Sequence, residues 1–255
     1  MAILDIQFYS QALNRQVPYK VIIPIDGPIS DEDTSLSDSN FRTLYLLHGM
    51  MGNNSDWLRN TNINQLAYDY NIAVVMPSGD NSFYIDHKAS GNFYGEYIGR
   101  ELVEETRKLL PLSTEKEGTF IAGLSMGGYG AIRNGLKYPH TFGAIAGMSS
   151  VTMSASFSFE TLPWKRELYE GIFGNLDNLE GTENDLEMLV KNLSDSMDIP
   201  RMYISCGTED YLIENNRRFR NFLVSEKINH KYEESQGGHD WIFWNTYLEK
   251  VFKWL

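Results

Sequence analysis

The sequence predicts an α/β fold, a mostly parallel, doubly wound sheet of about eight strands flanked by helices. Short runs of β-branched and aromatic residues alternate with segments whose apolar residues recur at helical spacing. Several of these runs are almost continuously apolar, which is typical of parallel strands covered by helices on both faces. Because α/β architectures of 255 residues commonly fold as one unit, we expect a single domain over residues 1–255.

The strands are predicted in chain order. Residues 3–10 and 17–24 are close enough in sequence to form an antiparallel pair. Six further runs follow, at residues 41–47, 72–76, 119–124, 142–148, 201–206 and 230–234. Helices are predicted at residues 94–110, 127–138, 211–227 and 241–255, and prolines end the first two of these.

Two segments interrupt this alternation. Residues 26–40 are rich in Asp, Ser, Gly and Pro, which predicts an exposed connection. Residues 150–198 are too long for a simple connection and contain several aromatic side chains. We interpret them as an insertion over the functional site, resembling a cap or lid, rather than as a separate domain.

Composition restricts the partners and the compartment. The formal net charge is −12, from 34 acidic and 22 basic side chains, so phosphate backbones and anionic lipids would repel the chain. We therefore expect neither nucleic acid nor membrane partners. Cys206 is the only cysteine, which excludes an internal disulfide. Because the sequence shows no signal-peptide pattern and no apolar run of about 18 residues, we expect a cytoplasmic protein. The sequence leaves open whether the chain forms a homo-oligomer.

The segment GLSMG, with Ser125 at its centre, fits the pattern G-x-S-x-G. It follows an apolar strand and begins a helical segment, which is the context this motif requires. The serine of such a turn projects above the sheet edge, and small residues on either side leave room for the sharp turn. The sequence therefore predicts that Ser125 is a nucleophile.

A serine hydroxyl needs a histidine to accept its proton and a carboxylate to orient that histidine. His239 lies in a glycine-containing turn between the last strand and the last helix, where a catalytic base is expected. His230 begins the preceding strand, at its opposite end, and is the weaker candidate. For the acid we favour Asp210, which follows a strand in the chain order Ser, Asp, His. Glu209 stays an alternative, and Asp240 a weaker one.

The remaining parts of such a site are predicted from neighbouring turns. The HG turn after residues 41–47 would supply one oxyanion-hole amide, from Met50, and the residue after the nucleophile, Met126, the other. We expect His48 to stabilise this loop. Aromatic residues near the strand ends or in the insertion are pocket candidates, namely Trp57, Phe83, Tyr84, Tyr94, Trp164 and Trp241. No metal-ligand or phosphate-binding motif is present, so we expect neither metal nor cofactor.

Four blocks together resemble a known family: YLLHGMMGNNSDW, FIAGLSMGGYGA, CGTEDYL and GGHDWIFW. They resemble the esterase D group of α/β-hydrolases, and within it the bacterial tributyrin esterases of the EstA type from lactic acid bacteria and streptococci. The resemblance extends from the first strand to the last helix. It implies an α/β-hydrolase fold and hydrolysis of short-chain acyl esters through Ser125, His239 and Asp210.

Other activities in this group are alternatives. Relatives include S-formylglutathione hydrolases, acetylxylan and feruloyl esterases, and mycolyl transferases. The formylglutathione enzymes typically have an SGLTC-type block where this chain has HGMMGNN, a departure that argues against thioester hydrolysis. Hydrolysis of acetyl or feruloyl carbohydrate esters is the second hypothesis. A catalytically inactive hydrolase fold that serves as a binding module is the third.

Overall fold

A computed structural model describes residues 1–26, 40–160, 162–194 and 199–255 of the chain. The apolar runs of the sequence form its strands. The strands, in chain order, are β1 (Ala2–Ser10), β2 (Arg15–Ile23), β3 (Arg42–Leu47), β4 (Ile72–Pro77), β5 (Asp86–His87), β6 (Asn92–Phe93), β7 (Thr119–Leu124), β8 (Ala144–Met148), β9 (Arg201–Gly207) and β10 (His230–Ser235).

The helices are α1 (Asp56–Asn60), α2 (Ile63–Asp69), α3 (Tyr94–Glu96), α4 (Leu102–Leu109), α5 (Met126–Lys137), α6 (Arg166–Phe173), α7 (Leu186–Ser194), α8 (Ile213–Ser225) and α9 (Trp241–Trp254). A π-helical turn, Tyr97–Glu101, joins α3 to α4, and short 3-10 turns form at Lys116–Gly118 and Leu176–Asn178. None of the helices in the described ranges combines the length and apolar character needed to cross a bilayer.

Eight of the strands form one sheet in the order β1-β2-β4-β3-β7-β8-β9-β10, and β5 and β6 form a separate two-stranded hairpin. Strand β2 is antiparallel to both of its neighbours, whereas all pairs from β4 to β10 are parallel. This is the α/β-hydrolase fold. Because the parallel strands share one direction, the loops after β3, β7, β9 and β10 meet at one edge of the sheet.

Alternation along each strand divides the core into two layers. In β3, Tyr45 and Leu47 contribute to one apolar cluster, while Leu44 and Leu46 contribute to the other. Apolar side chains of α4, α5, α7 and α8 complete the first cluster, and those of α1, α2 and α9 complete the second. Both faces of the sheet are therefore covered, as the continuous apolar runs predicted.

The eight predicted strands of the main sheet are confirmed, with ends that differ by a few residues. Helix α8 begins at Ile213 rather than at residue 211, because a turn closed by Asp210 N donating to Gly207 O comes first. The connection predicted over residues 26–40 lies mostly outside the described residues. In the 150–198 insertion, side chains of α6 and α7 such as Tyr169 and Val190 pack in the first apolar cluster. That the 150–198 insertion serves as a lid stays a prediction.

Candidate active site

Ser125 occupies the sharp turn between β7 and α5. Its backbone angles, φ 53° and ψ −116°, lie in a region that costs energy for any residue with a side chain. The turn is held by its own backbone, since Ser125 N donates to Met148 O at 2.9 Å and Val151 N donates to Ser125 O at 3.2 Å. These contacts fix the hydroxyl at the carboxyl edge of the sheet.

The two glycines of the motif are required by close approach. A Cβ at Gly127 would lie 2.5 Å from the backbone oxygens of both Leu47 and His48. A Cβ at Gly123 would overlap the backbone of Gly127 itself. Any larger residue at either position would push α5 away from the ends of β3 and β7, so the G-x-S-x-G spacing follows from packing.

His239 lies within hydrogen-bond distance of the serine, with its Nε2 2.9 Å from Ser125 Oγ. Two aromatic rings hold the imidazole. The Tyr211 ring lies 4.5 Å from it, centroid to centroid, and the Trp244 ring 4.9 Å from it in an edge-to-face arrangement. The Trp244 indole in turn donates to Ser149 Oγ at 3.1 Å, so the plane of the imidazole is fixed by packing.

Asp210 lies on the other side of the imidazole, in the turn after β9. Its Oδ2 is 2.9 Å from His239 Nδ1, and its Oδ1 accepts from Leu212 N at 2.8 Å. The carboxylate is buried, and both of its oxygens therefore have a donor. The loop after β9 and the loop after β10 are also joined directly, because Glu209 N donates to Gly237 O at 3.0 Å. The structure thus brings the predicted serine, histidine and aspartate into one hydrogen-bonded chain.

The rival acids and bases lie elsewhere. The exposed Glu209 carboxylate contacts Gln236, and Asp240 Oδ1 accepts from the amides of residues 242 and 243 as the N-cap of α9. His230 begins β10, at the opposite edge of the sheet.

Burial raises the pKa of the Cys206 thiol, so the thiol stays protonated near neutral pH. The described residues contain no group of three His, Cys, Asp or Glu side chains arranged to hold a metal.

The predicted oxyanion-hole amides lie on the two segments that meet at the serine. A Cβ at Gly49 would lie 3.6 Å from Ser125 Cβ, so the loop that carries Met50 passes directly against Ser125. Met126 is the first residue of α5, where a helix amide has no intrahelical acceptor. Within the described ranges, neither amide donates a hydrogen bond to a protein acceptor.

His48 connects this loop to its neighbour. Its Nε2 accepts from Gly79 N at 2.8 Å and its Nδ1 donates to Gly49 O at 2.7 Å, which together require the neutral ring. Burial lowers the pKa of His48, in agreement with a neutral ring. The Tyr84 hydroxyl donates to His48 O at 3.0 Å, and Met51 N donates to Asn81 Oδ1 at 2.7 Å. These four hydrogen bonds hold the loop of residues 48–51, three of them to residues 79–84.

A cleft of about 310 Å³ opens above the serine. Of the aromatic residues proposed for the pocket, Trp164 and Trp241 line it. Trp57 and Tyr84 do not, and both are 0% exposed. The Trp57 indole donates to Leu47 O at 3.2 Å and packs edge-to-face against Trp241, so it supports the wall from behind. Tyr84 is turned inward by its hydrogen bond to the His48 carbonyl.

The other two proposed aromatics also lie outside this cleft. Phe83 is buried in the first apolar cluster, and Tyr94 lines a separate hollow beside the β5–β6 hairpin. Trp244 and Asp56 are among the lining residues that the sequence reasoning did not select. Trp244 lies one helical turn after Trp241, a spacing that predicts a shared face. Asp56 gave no comparable signal, because it begins a helix of only five residues.

Comparison with known proteins identifies the family of the chain. The family model Esterase, described as "Putative esterase", matches residues 10–255. An acetyl esterase of Caldicellulosiruptor saccharolyticus is 41% identical over 261 residues, covering 100% of this chain and 98% of the relative. The chain belongs to the Esterase family. This esterase is a serine-dependent carboxylic ester hydrolase with the α/β-hydrolase fold.

Solved structures agree with this family. The fluorophosphonate-binding serine hydrolase FphF of Staphylococcus aureus, in a substrate-bound form, is 29% identical with a TM-score of 0.87, covering 99% of this chain and 97% of its own. An S-formylglutathione hydrolase (FrmB) from the same organism is 30% identical with a TM-score of 0.85, covering 99% and 98%. A ferulic acid esterase at 20% identity and a TM-score of 0.79, covering 99% and 96%, is similar in fold.

Proposed function

We propose that this esterase hydrolyses short-chain acyl esters such as tributyrin through a triad of Ser125, His239 and Asp210, as its resemblance to the tributyrin esterases implies. One observation carries the proposal. Two hydrogen bonds of 2.9 Å link the Ser125 hydroxyl to the His239 imidazole, and that imidazole to the Asp210 carboxylate. Each member then has the partner that nucleophilic acyl transfer requires.

Acylation begins when Ser125 Oγ attacks the ester carbonyl carbon and His239 Nε2 accepts the hydroxyl proton. The Asp210 carboxylate accepts a hydrogen bond from the Nδ1–H group of His239. This hydrogen bond keeps Nε2 unprotonated in the resting enzyme and stabilises the imidazolium that forms. The packing of Tyr211 and Trp244 against the ring supports this step by limiting rotation of the imidazole.

The negative oxygen of the tetrahedral intermediate is held by the amides of Met50 and Met126. Both segments meet at the serine, and neither amide has an acceptor in the described parts of the protein. Preorganised backbone donors of this kind stabilise charge that develops in the transition state, and one donor is worth about 3 kcal/mol. The loop hydrogen bonds of His48 hold the Met50 segment before substrate arrives.

Breakdown of the intermediate releases the alcohol, which takes the proton from His239 Nε2, and leaves an acyl group on Ser125. Water then attacks the acyl-enzyme while His239 Nε2 accepts its proton. The bond between the acyl carbon and Ser125 Oγ breaks, the carboxylic acid leaves, and His239 returns the proton to Ser125 Oγ. The walls formed by Trp164, Trp241 and Trp244 limit the space beside the serine. This is the observation that favours short acyl groups.

A second candidate is removal of acetyl groups from carbohydrates. The relative named acetyl esterase, which is 41% identical over the whole chain, supports the acetyl part of this candidate; the carbohydrate is part of the proposal. Both candidates share the same chemistry and differ only in the alcohol and in the length of the acyl group.

The test is an acyl-chain series from acetate to octanoate as 4-nitrophenyl esters, run beside tributyrin and acetylated xylo-oligosaccharides. Turnover of butyrate and tributyrin above the acetylated sugars supports the first candidate, and the reverse order supports the second. Ser125→Ala is expected to retain the fold and lose nearly all turnover and labelling by a fluorophosphonate probe. A folded wild type that does not label would indicate a binding module.

The chain offers a matched control for this variant. Ser90 Oγ also lies 2.9 Å from a histidine nitrogen, His87 Nδ1, but within the described structure this pair forms no hydrogen bond or ion pair with a carboxylate. Ser90→Ala removes an equivalent hydroxyl and is expected to keep full activity. Retained turnover in Ser125→Ala, or an equal loss in both variants, would reject the assignment of the nucleophile.

A further inference from the structure

The wall of the cleft contains a carboxylate that the proposed reaction does not use. Asp56, at the start of α1, lines the same cleft as Ser125 and His239. Its side chain packs against the backbone of Gly52, where a Cβ would overlap the carboxylate. The absence of a side chain at residue 52 therefore lets the charge lie directly against the loop that carries Met50.

No cation neutralises this charge in the described part of the chain. Asp56 has no ion pair among the described residues, and no described donor forms a hydrogen bond with its carboxylate. The residues that line the cleft include neither lysine nor arginine. Arg59, one turn further along α1, is exposed and unpaired within the described residues, and Lys165 is exposed and outside the lining.

The surroundings increase the influence of this charge. Three indole rings, those of Trp164, Trp241 and Trp244, form much of the remaining wall. Apolar walls screen a charge less than bulk water does, and a cleft lined by one sign of charge focuses its field on whatever enters. A second charge on the substrate would therefore interact with Asp56 over the few ångströms of the cleft.

We propose that Asp56 selects substrates by charge, so that neutral and cationic esters are hydrolysed in preference to anionic esters of the same size. This inference rests on the proposed ester hydrolysis at Ser125 and adds the charge class of the substrate. Two unit charges about 8 Å apart in a partly hydrated cleft change kcat/KM by roughly fivefold.

A purely structural role for Asp56 makes a different prediction. An acidic residue in the first turn stabilises a helix, and its loss would lower stability and affect all substrates alike. A role in charge selection changes the ratio between substrates instead. The test therefore measures ratios, with a neutral ester as internal reference and thermal unfolding as a separate readout.

The substrates are three acetate esters of similar shape: acetylcholine (cationic), 3,3-dimethylbutyl acetate (neutral) and 2-acetoxyethanesulfonate (anionic). Acid release by the purified esterase is followed in a pH-stat near pH 7.5. We expect kcat/KM to fall in that order in the wild type, by about fivefold for each step. Asp56→Asn should bring the three values to within about twofold, and Asp69→Asn, which removes an exposed charge at the opposite edge of the sheet, should leave the wild-type ratios.

Two further measurements complete the test. Ethyl butyrate and monoethyl succinate place the same comparison on the acyl side. Raising the ionic strength should reduce the wild-type ratios but not those of Asp56→Asn. Ratios that are equal in the wild type, or unchanged in Asp56→Asn, would overturn the proposal while leaving ester hydrolysis intact. Absence of turnover with every ester would instead reject the proposed function.

Discussion

The two hydrogen bonds of Asp210 determine what an asparagine would do at this position. Oδ1 accepts from Leu212 N, and Oδ2 faces His239 Nδ1. In Asp210→Asn the amide oxygen must take the Oδ1 position, because an NH₂ group there would meet the Leu212 N–H as a second donor. The NH₂ group then faces His239 Nδ1 and donates to it. The imidazole is forced to carry its proton on Nε2, where it cannot accept the proton of Ser125.

The expected loss follows from this tautomer. In serine proteases with a Ser-His-Asp triad, the substitution of Asn for the Asp lowers kcat by about 10⁴-fold, which corresponds to about 5.5 kcal/mol of transition-state stabilisation. We expect a similar loss here, with KM changed little, since Asp210 is buried and outside the cleft lining. Steady-state hydrolysis of 4-nitrophenyl butyrate measures both parameters.

Glu209 provides the control for this prediction. It is the adjacent carboxylate, exposed and in contact with Gln236, so Glu209→Gln should keep kcat within about twofold. Circular dichroism and thermal unfolding would show whether Asp210→Asn still folds. A folded Asp210→Asn variant that loses less than about tenfold in kcat would refute the reasoning, as would a larger loss in Glu209→Gln.

Three further predictions concern stability and the cleft. Gly127→Ala should lower the free energy of unfolding in urea by about 1–3 kcal/mol, because the new methyl group would meet two backbone oxygens. Gly171→Ala is the control, since open space surrounds this residue, and it should not destabilise the protein. Equal effects of the two substitutions would contradict the packing argument. Burial lowers the pKa of His48, so the unfolded chain binds a proton at this imidazole more readily than the folded protein does, and the stability should fall as the pH drops below about 6.5. His48→Gln should therefore flatten the dependence of Tm on pH between pH 7 and 5. An unchanged slope in this variant would contradict the prediction. Trp164→Ala should raise the octanoate-to-butyrate ratio of kcat/KM by roughly tenfold in the 4-nitrophenyl series, and a constant ratio would show that this ring does not limit the acyl group.

The parts of the fold that could be predicted are those in which local pattern and burial agree. Strands such as β4 and β7 are buried at every position, so their apolar runs were visible in the sequence. Helices α1 and α2 have five and seven residues, too few for a recurring helical pattern to stand out. Strands β5 and β6 have two residues each and were not predicted, since their pairing depends on tertiary contacts.

The candidate site divides in a similar way. Ser125, His239 and Asp210 could be selected because their chemistry requires a fixed chain order at strand ends, and the structure brings them together. The sequence could not separate the aromatic residues that line the cleft, such as Trp164 and Trp241, from those buried behind it. Trp57 and Trp164 have the same side chain, yet only Trp164 lines the cleft, because the direction of each ring is decided by neighbours distant in sequence.

The hydrogen bonds that fasten residues 48–51 to residues 79–84 have a consequence for protein engineering. Within the described parts of the chain, residues 79–84 form no hydrogen bond with Ser125, so they resemble a loop that would tolerate insertions or grafts. Because Gly79, Asn81 and Tyr84 hold the Met50 segment in place, a change in the length of their loop would shift the Met50 segment that lies against Ser125. Variant libraries for altered selectivity should therefore vary both segments together or leave both intact.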